Sequence, residues 1–184
     1  SVLKVYEAVR ENVKEAFSEF PSHSNKPGLM FKELKDITAD YISTDNPSDL
    51  PGKTGLLFFY YWTSPLKYPW CNGTSYIDLM NPKVAEAFIA STHEKYASWF
   101  AGEFGRSVPG IFTDEPGYLM YGGRFEGRRN VLPWSEVFAG AFREEYGYDI
   151  LEHLPELFYP LKGYEKVRFD YRKLVNKLFV TNYS

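Results

Sequence analysis

One helical segment in the middle of the chain constrains the fold more than any other part of the sequence. Asn81 is a favourable helix N-cap, Pro82 stands at the first helical position, and apolar residues then recur at helical spacing until Gly102. Short apolar runs stand on either side, LLFFYYW at 56–62 and VPGIFT at 108–113. A strand, a helix and a second strand in this order predict a βαβ unit with two parallel strands.

The remaining segments predict more helices than strands. Apolar residues recur at helical spacing from Val2 to Phe20, which predicts a first helix that ends at Pro21. Residues 31–42 have weak strand character, and similar apolar patterns predict a helix over 135–146 and a last helix near the end of the chain. We therefore expect an α/β chain with helix and loop over 1–29, a β-rich part over 30–62 and a βα segment over 76–184.

Composition excludes several classes of function. The chain has 184 residues, a formal net charge of -3 and a pI of about 5.7, so nucleic acid is not an expected partner. No apolar run reaches the roughly 18 residues that span a bilayer, and the start does not resemble a signal peptide, so we expect a soluble protein, cytoplasmic or secreted. Cys71 is the single cysteine, and no zinc motif is present. We expect no cofactor, although the acids near Asp78 or Asp114 are of the type that binds calcium.

Two adjacent acids end the second apolar run. Asp114 and Glu115 follow the run at 108–113, and Pro116 comes next, which favours an extended backbone at Glu115. In parallel α/β structures, side chains at the carboxyl ends of strands line the functional site. From the local pattern alone, the segment is more typical of a loop whose acids face water.

A longer set of motifs resembles one family of enzymes. Residues 75–118, together with the later stretch EYGYDILEHLPELFY, are similar to large (β/α)8-barrel glycoside hydrolases of the α-L-rhamnosidase type (glycoside hydrolase family 106) and their uncharacterised bacterial relatives. The likeness covers roughly residues 30–184. The matching pieces are Tyr76-Ile77-Asp78, Asn81-Pro82, Phe88-Ile89, Thr92-His93-Glu94, Tyr96, Phe104-Gly105 and Gly110-Ile111-Phe112-Thr113-Asp114-Glu115-Pro116.

The resemblance implies a glycosidase active site with Glu115 as its general acid and Asp114 beside it. It also implies an incomplete (β/α)8 barrel, because the few strands expected here cannot close one. Glycosidic cleavage usually needs a second carboxyl group, for which Asp78, Glu94 and Glu126 are the candidates. In barrel hydrolases this group usually comes from a later strand, so we expect a piece of a longer polypeptide that is inactive by itself.

Substrate contacts are expected from residues near the acids and from the aromatic residues, which make up 18% of the chain. Aromatic rings with a polar edge suit stacking on sugars. The candidate contacts are Asp78, Trp62, Trp70, Tyr118 and His93. The local pattern favours Asp78 as an acid at a helix N-terminus, where the dipole stabilises it, and it favours a structural role for His93.

Two other functions stay open on the sequence alone. One is a non-catalytic carbohydrate-binding module that uses the aromatic side chains. The other is a structural domain that packs on the remaining parts of a larger protein, with self-association where strand edges are exposed.

Overall fold

A computed structural model describes residues 2–11, 30–44, 55–61, 76–113, 116–117 and 132–183. The chain divides into two compact units, which we describe separately. Unit 1 comprises Ser1–Ser64 and Phe142–Tyr171, and unit 2 comprises Pro65–Ala141 and Arg172–Ser184.

The elements follow one another in this order: β1 (Val2–Glu11), β2 (Met30–Asp36), α1 (Thr38–Ser43), β3 (Leu56–Tyr60), α2 (Pro82–Phe88), a π-helical turn (Ile89–His93), α3 (Glu94–Phe100), a 3₁₀ turn (Ala101–Glu103), α4 (Phe138–Tyr146), a second 3₁₀ turn (Ile150–His153), α5 (Leu154–Phe158) and α6 (Tyr164–Tyr183). None of the described helices has the length and apolar composition required to cross a membrane.

The sheet of unit 1 is antiparallel, so the predicted fold class is wrong. Its order is β2-β1-β3, and β1 pairs antiparallel with both neighbours. Among the described residues the one parallel contact is an isolated bridge between Phe104 and Val108. No pair of parallel strands of a (β/α)8 barrel is therefore present there, and the predicted βαβ unit does not form. The described part of the chain is a mixed α/β structure.

The start of the chain is a strand, although its spacing predicts a helix. Val5, Tyr6 and Ala8 are all buried. Because consecutive strand residues point to opposite faces, β1 buries side chains on both faces of the sheet, and such a run cannot be distinguished from a helix by periodicity. Hydrogen bonds to two neighbouring strands and the β-branched valines favour the strand. The second half of the predicted helix, residues 12–20, lies outside the described residues.

Side chains from later segments contact both faces of this sheet within unit 1. On one face Phe31 meets Tyr159 edge-on with ring centroids 4.7 Å apart, and Phe59 packs on Phe158 at 5.7 Å. On the other face Tyr41 of α1 contacts Phe58 at 5.3 Å. The core of unit 1 consists of apolar side chains from the sheet and the later helices: Val5, Tyr6, Ala8, Phe31, Ile37, Phe142, Ile150, Leu154, Leu157, Val167 and Tyr171.

One lysine joins the sheet to the second 3₁₀ turn. Nζ of Lys4 lies 2.7 Å from a carboxylate oxygen of Asp36 and 2.7 Å from one of Glu152. Burial acts to lower the pKa of Lys4, but the hydrogen bonds and charges of the two acids outweigh it and raise that pKa. Burial acts to raise the pKa of Asp36, and hydrogen bonds from Lys4 and Thr38 outweigh it and lower that pKa. The three side chains therefore form a charged link in unit 1.

The predicted helix in the middle of the chain is confirmed in unit 2, including its first residue. The Asn81 side chain accepts a hydrogen bond from the backbone N–H of Lys83 at 3.1 Å, and Pro82 is the first residue of α2. A π-helical turn interrupts the segment at Ile89–His93, and Gly105 beyond its end has a φ of +76°. The strand predicted over 108–113 is absent from the described structure, where these residues have no regular hydrogen-bonded pattern beyond the bridge at Val108.

Two other predicted helices and one strand are confirmed as elements. α4 and α6 occupy the predicted segments, and Gly147, with a φ of +74°, ends α4 by donating its N–H to the carbonyl of Arg143 at 2.9 Å. β3 forms at Leu56–Tyr60, but it is an antiparallel edge strand on which Phe58 and Tyr60 are exposed. The prediction that this strand is parallel is wrong.

Candidate functional site

Most of the predicted site falls outside the part of the chain that the structure describes. Two predicted site residues, Asp78 and His93, are described, and both belong to unit 2. The others lie outside the described residues: Asp114, Glu115, Trp62, Trp70 and Tyr118, as does the candidate second carboxylate Glu126.

Asp78 lies in the turn that leads into α2, where both of its carboxylate oxygens accept hydrogen bonds. Oδ1 accepts from the backbone N–H of Met80 at 3.0 Å, and Oδ2 accepts from the Ser135 hydroxyl at 2.6 Å. The backbone carbonyl of Asp78 also accepts from the N–H of Asn81 at 3.2 Å. These bonds fix the orientation of the carboxylate and hold the turn in place before the helix begins.

Ser135 is a functional candidate that the sequence does not indicate. Its side chain is buried, and its Oγ accepts from the N–H of Val137 at 3.4 Å while donating to Asp78. One hydroxyl therefore serves the start of α4 and the turn before α2. The two residues are 57 positions apart, and no local pattern in the sequence signals such a contact.

The residues that follow the acidic pair contact the same turn. The backbone N–H of Gly117 donates to the Tyr76 hydroxyl in a long hydrogen bond of 3.5 Å. Tyr76 precedes Asp78 by two residues, and Gly117 follows Glu115 by two residues. This contact brings Tyr76-Ile77-Asp78 and the end of the run TDEPG together. These are two of the pieces on which the family resemblance rests.

His93 ends the π-helical turn and does not join this arrangement by any contact that the structure describes. Its ring packs edge-on against Phe88 with centroids 5.3 Å apart. Its Nδ1 atom is buried and has no hydrogen-bond partner among the described residues. The role of His93 in substrate contact stays a prediction. Glu94, a candidate second carboxylate, is exposed in the first turn of α3.

Exposed aromatic side chains on α3 form a surface that the sequence does not indicate. Apolar residues at helical spacing, as over 82–102, are typical of a face that packs on a core, yet Tyr96 is 50% exposed and Trp99 is 67% exposed. Phe100 lies between them, 6.2 Å from Tyr96 and 6.3 Å from Trp99 by ring centroids. A π-helical turn has more residues than an α-helical turn, so it rotates the face that follows it.

A second polar cluster, in unit 1, is structural in character. The Tyr148 hydroxyl donates to Oδ2 of Asp170 at 2.9 Å, and Lys166 pairs with the same oxygen while lying 4.5 Å from the centre of the Tyr148 ring. Burial, followed by the hydrogen bond and charge of Asp170, raises the pKa of Tyr148. Tyr148 therefore stays a hydrogen-bond donor at neutral pH, and the cluster holds the turn after α4 against α6.

Metal binding finds no support in the described residues. Across these ranges, no group of three or more His, Cys, Asp or Glu side chains is arranged to hold a metal ion. Asp78, which we had considered for calcium, is thus not part of such a group, and Asp114 lies outside the described residues.

Comparison with protein-family models, with curated proteins and with solved structures gives no significant match to this chain. The resemblance to α-L-rhamnosidase-type enzymes therefore remains a prediction from the sequence motifs.

Proposed function

We propose that this chain is part of an enzyme that hydrolyses O-glycosidic bonds, with Glu115 as the general acid. The observation that supports this most strongly is the hydrogen bond between Gly117 and Tyr76. It joins the segment that carries the acidic pair to the segment that carries Asp78, across 41 residues of sequence. Catalysis by carboxyl groups requires such convergence of polar groups from distant parts of a chain.

The proposal depends on carboxyl groups and not on a barrel. Glycosidases of most families place two carboxyl groups on either side of the scissile bond, and this arrangement recurs on different scaffolds. In our proposal Glu115 protonates the leaving oxygen, and Asp114 binds a substrate hydroxyl. Asp78 acts as a positioning residue, because its two oxygens already accept hydrogen bonds from Met80 and Ser135.

The test compares two classes of substrate in the natural full-length protein. Glu115→Gln removes the proton donor, so we expect kcat/KM on alkyl glycosides, whose leaving groups need protonation, to fall by about 10²- to 10⁴-fold. Dinitrophenyl glycosides carry a leaving group that departs without a proton, so their hydrolysis should change little.

The matched control is Glu86→Gln, which makes the same chemical change at an exposed residue of α2. It should leave both classes of substrate unaffected. An equal loss on both classes with Glu115→Gln, or no loss on either, would contradict the role of Glu115 as general acid.

A second candidate function is carbohydrate binding without catalysis, and the exposed rings of Tyr96 and Trp99 favour it. Flat aromatic rings that face solvent suit stacking on sugars. In this case the chain itself should bind oligosaccharides in a calorimetric titration, and Trp99→Ala should weaken binding by about ten-fold. Phe169→Ala, at an exposed ring of α6, is the control and should leave binding unchanged. Binding that Trp99→Ala does not alter would exclude this surface.

A further inference from the structure

The outer edge of β2 pairs with no other strand among the described residues. β2 is at one end of the sheet order β2-β1-β3. Beyond its ladder with β1, residues 30–36 make no backbone–backbone hydrogen bond to another described residue. A strand edge of this kind is a template for pairing with another chain unless its side chains prevent it.

The charges along this edge alternate in sign. Lys32, Glu33 and Lys35 are exposed and form no ion pair with any residue in the described ranges. Asp36 is also exposed, but Lys4 and Thr38 already bond to its carboxylate. Lysines alone would repel another strand, whereas an alternating edge repels or attracts according to register.

We propose that a second copy of this chain pairs with β2 in antiparallel fashion, with Leu34 on the two-fold axis. In this register Glu33 lies directly opposite Lys35 of the second copy, and by symmetry the same pair forms twice. Lys32 then lies opposite Asp36, so every charged residue of the paired segment faces an opposite charge. Opposite charges at facing positions of an antiparallel pair stabilise it.

Neighbouring symmetric registers place like charges together, which makes the choice of register specific. Directly opposite residues of an antiparallel pair share a face of the sheet, so the two-fold axis must pass through a residue and not between two residues. An axis on Glu33 or on Lys35 sets that residue against its own copy. A self-complementary strand is the requirement for a two-fold interface, and the charge pattern of β2 meets it in the register centred on Leu34.

The irregularity in β2 limits the paired length. Glu33 is opposite Val9, and Phe31 is opposite the next residue of β1, so Lys32 is an extra residue in the ladder. Extra residues of this kind bend a strand and end pairing. We therefore assign the contact mainly to residues 33–35, with the two pairs between Glu33 and Lys35 on either side of Leu34. This proposal is independent of the proposed enzymatic function.

The test reverses one charge at a time and then mixes the variants. Glu33→Lys and Lys35→Glu each replace the two attractive pairs by two repulsive ones, so we expect the dissociation constant of the dimer to rise at least about ten-fold. An equimolar mixture of the two variants restores opposite charges at both positions in the heterodimer. Sedimentation equilibrium of the mixture should therefore return a dimer constant close to that of the unmodified chain.

Folding of each variant is checked by circular dichroism. Lys35→Glu needs this check most, because Lys35 is opposite Glu7 within the chain, whereas Glu33 is opposite the uncharged Val9. Glu86→Lys, an exposed change of the same size on α2, should leave dimerisation unaffected. In the unmodified chain, hydrogen exchange at residues 31–36 should slow as protein concentration rises, which tests the contact without any substitution.

The dimer proposal would be overturned by an unmodified chain that stays monomeric at high micromolar concentration, by a dimer that neither charge reversal weakens, or by a mixture of the two variants that remains monomeric. Concentration-dependent protection located at β3 instead of β2 would also overturn it.

Discussion

Replacing Lys4 by Met should cost the protein about 1.5 kcal/mol of its free energy of unfolding at neutral pH. The side chain of Lys4 is 14% exposed, while those of Asp36 and Glu152 are 37% and 60% exposed. A buried hydrogen bond to a charged group contributes about 1.5–3 kcal/mol, and solvent screening reduces this to about 1 kcal/mol for Asp36 and a few tenths for Glu152. Methionine keeps the length of the side chain, so the loss of packing is small.

The measurement is urea denaturation followed by circular dichroism. For a chain of this size a loss of about 1.5 kcal/mol lowers the midpoint by roughly 0.5–1 M urea. A double-mutant cycle with Asp36→Asn isolates the coupling between the two side chains, which we expect to be about 1 kcal/mol. Glu152→Gln is the matched comparison and should cost less, because Glu152 is the more exposed partner.

The pH dependence of the free energy of unfolding is an independent check, because the direction of each pKa shift determines the pH range in which the charged link stabilises the fold. The pKa of Asp36 is lowered in the folded protein, so its contribution is present above the unfolded value of about 4 and is lost as pH falls through the folded value. The pKa of Lys4 is raised, so its contribution is present below about pH 10 and is lost as pH rises through the folded value. The difference between the unmodified chain and Lys4→Met should thus be largest between about pH 5 and pH 10.

A cost of Lys4→Met below about 0.3 kcal/mol at neutral pH, within the range of an ordinary surface substitution, would contradict a stabilising role of this charged link. A cost that stays constant down to about pH 2.5 would also contradict it, because such a cost would not originate in the charge of Asp36.

Two further predictions use matched substitutions. Gly147→Ala should destabilise the protein by about 1 kcal/mol, because Gly147 has a φ of +74°, which penalises alanine even though the space around an added Cβ is open. Gly140→Ala within α4 should instead stabilise the protein by roughly 0.5–1 kcal/mol. Thermal unfolding of both variants measures these changes, and a change of the same sign in both would contradict the prediction. Ser135→Ala should lower the free energy of unfolding by about 1–2 kcal/mol, because the hydrogen bond to Asp78 is lost. Asp78→Asn keeps a hydrogen-bond acceptor and should lower it by less. Equal melting temperatures for Ser135→Ala and the unmodified chain would contradict a stabilising bond between Ser135 and Asp78.

Local chemistry determined the helices that could be predicted from the sequence. Asn81 and Pro82 fix the start of α2, and Gly147 fixes the end of α4, because the groups that satisfy a helix terminus lie within a few residues of it. The pattern of β3 likewise predicts a strand wherever the segment is placed. The acidic pair at Asp114 and Glu115 and the motifs around it also come from the sequence, and the proposed function starts from them.

Tertiary structure decided what these local signals leave open. The segment Val2–Glu11 became a strand because two neighbouring strands hydrogen-bond to it, and the direction of those neighbours made the sheet antiparallel. The link between Asp78 and Ser135 and the contact between Tyr76 and Gly117 join residues that are far apart in sequence. Such pairings depend on the free energy of whole packed elements, and no short stretch of residues encodes that free energy.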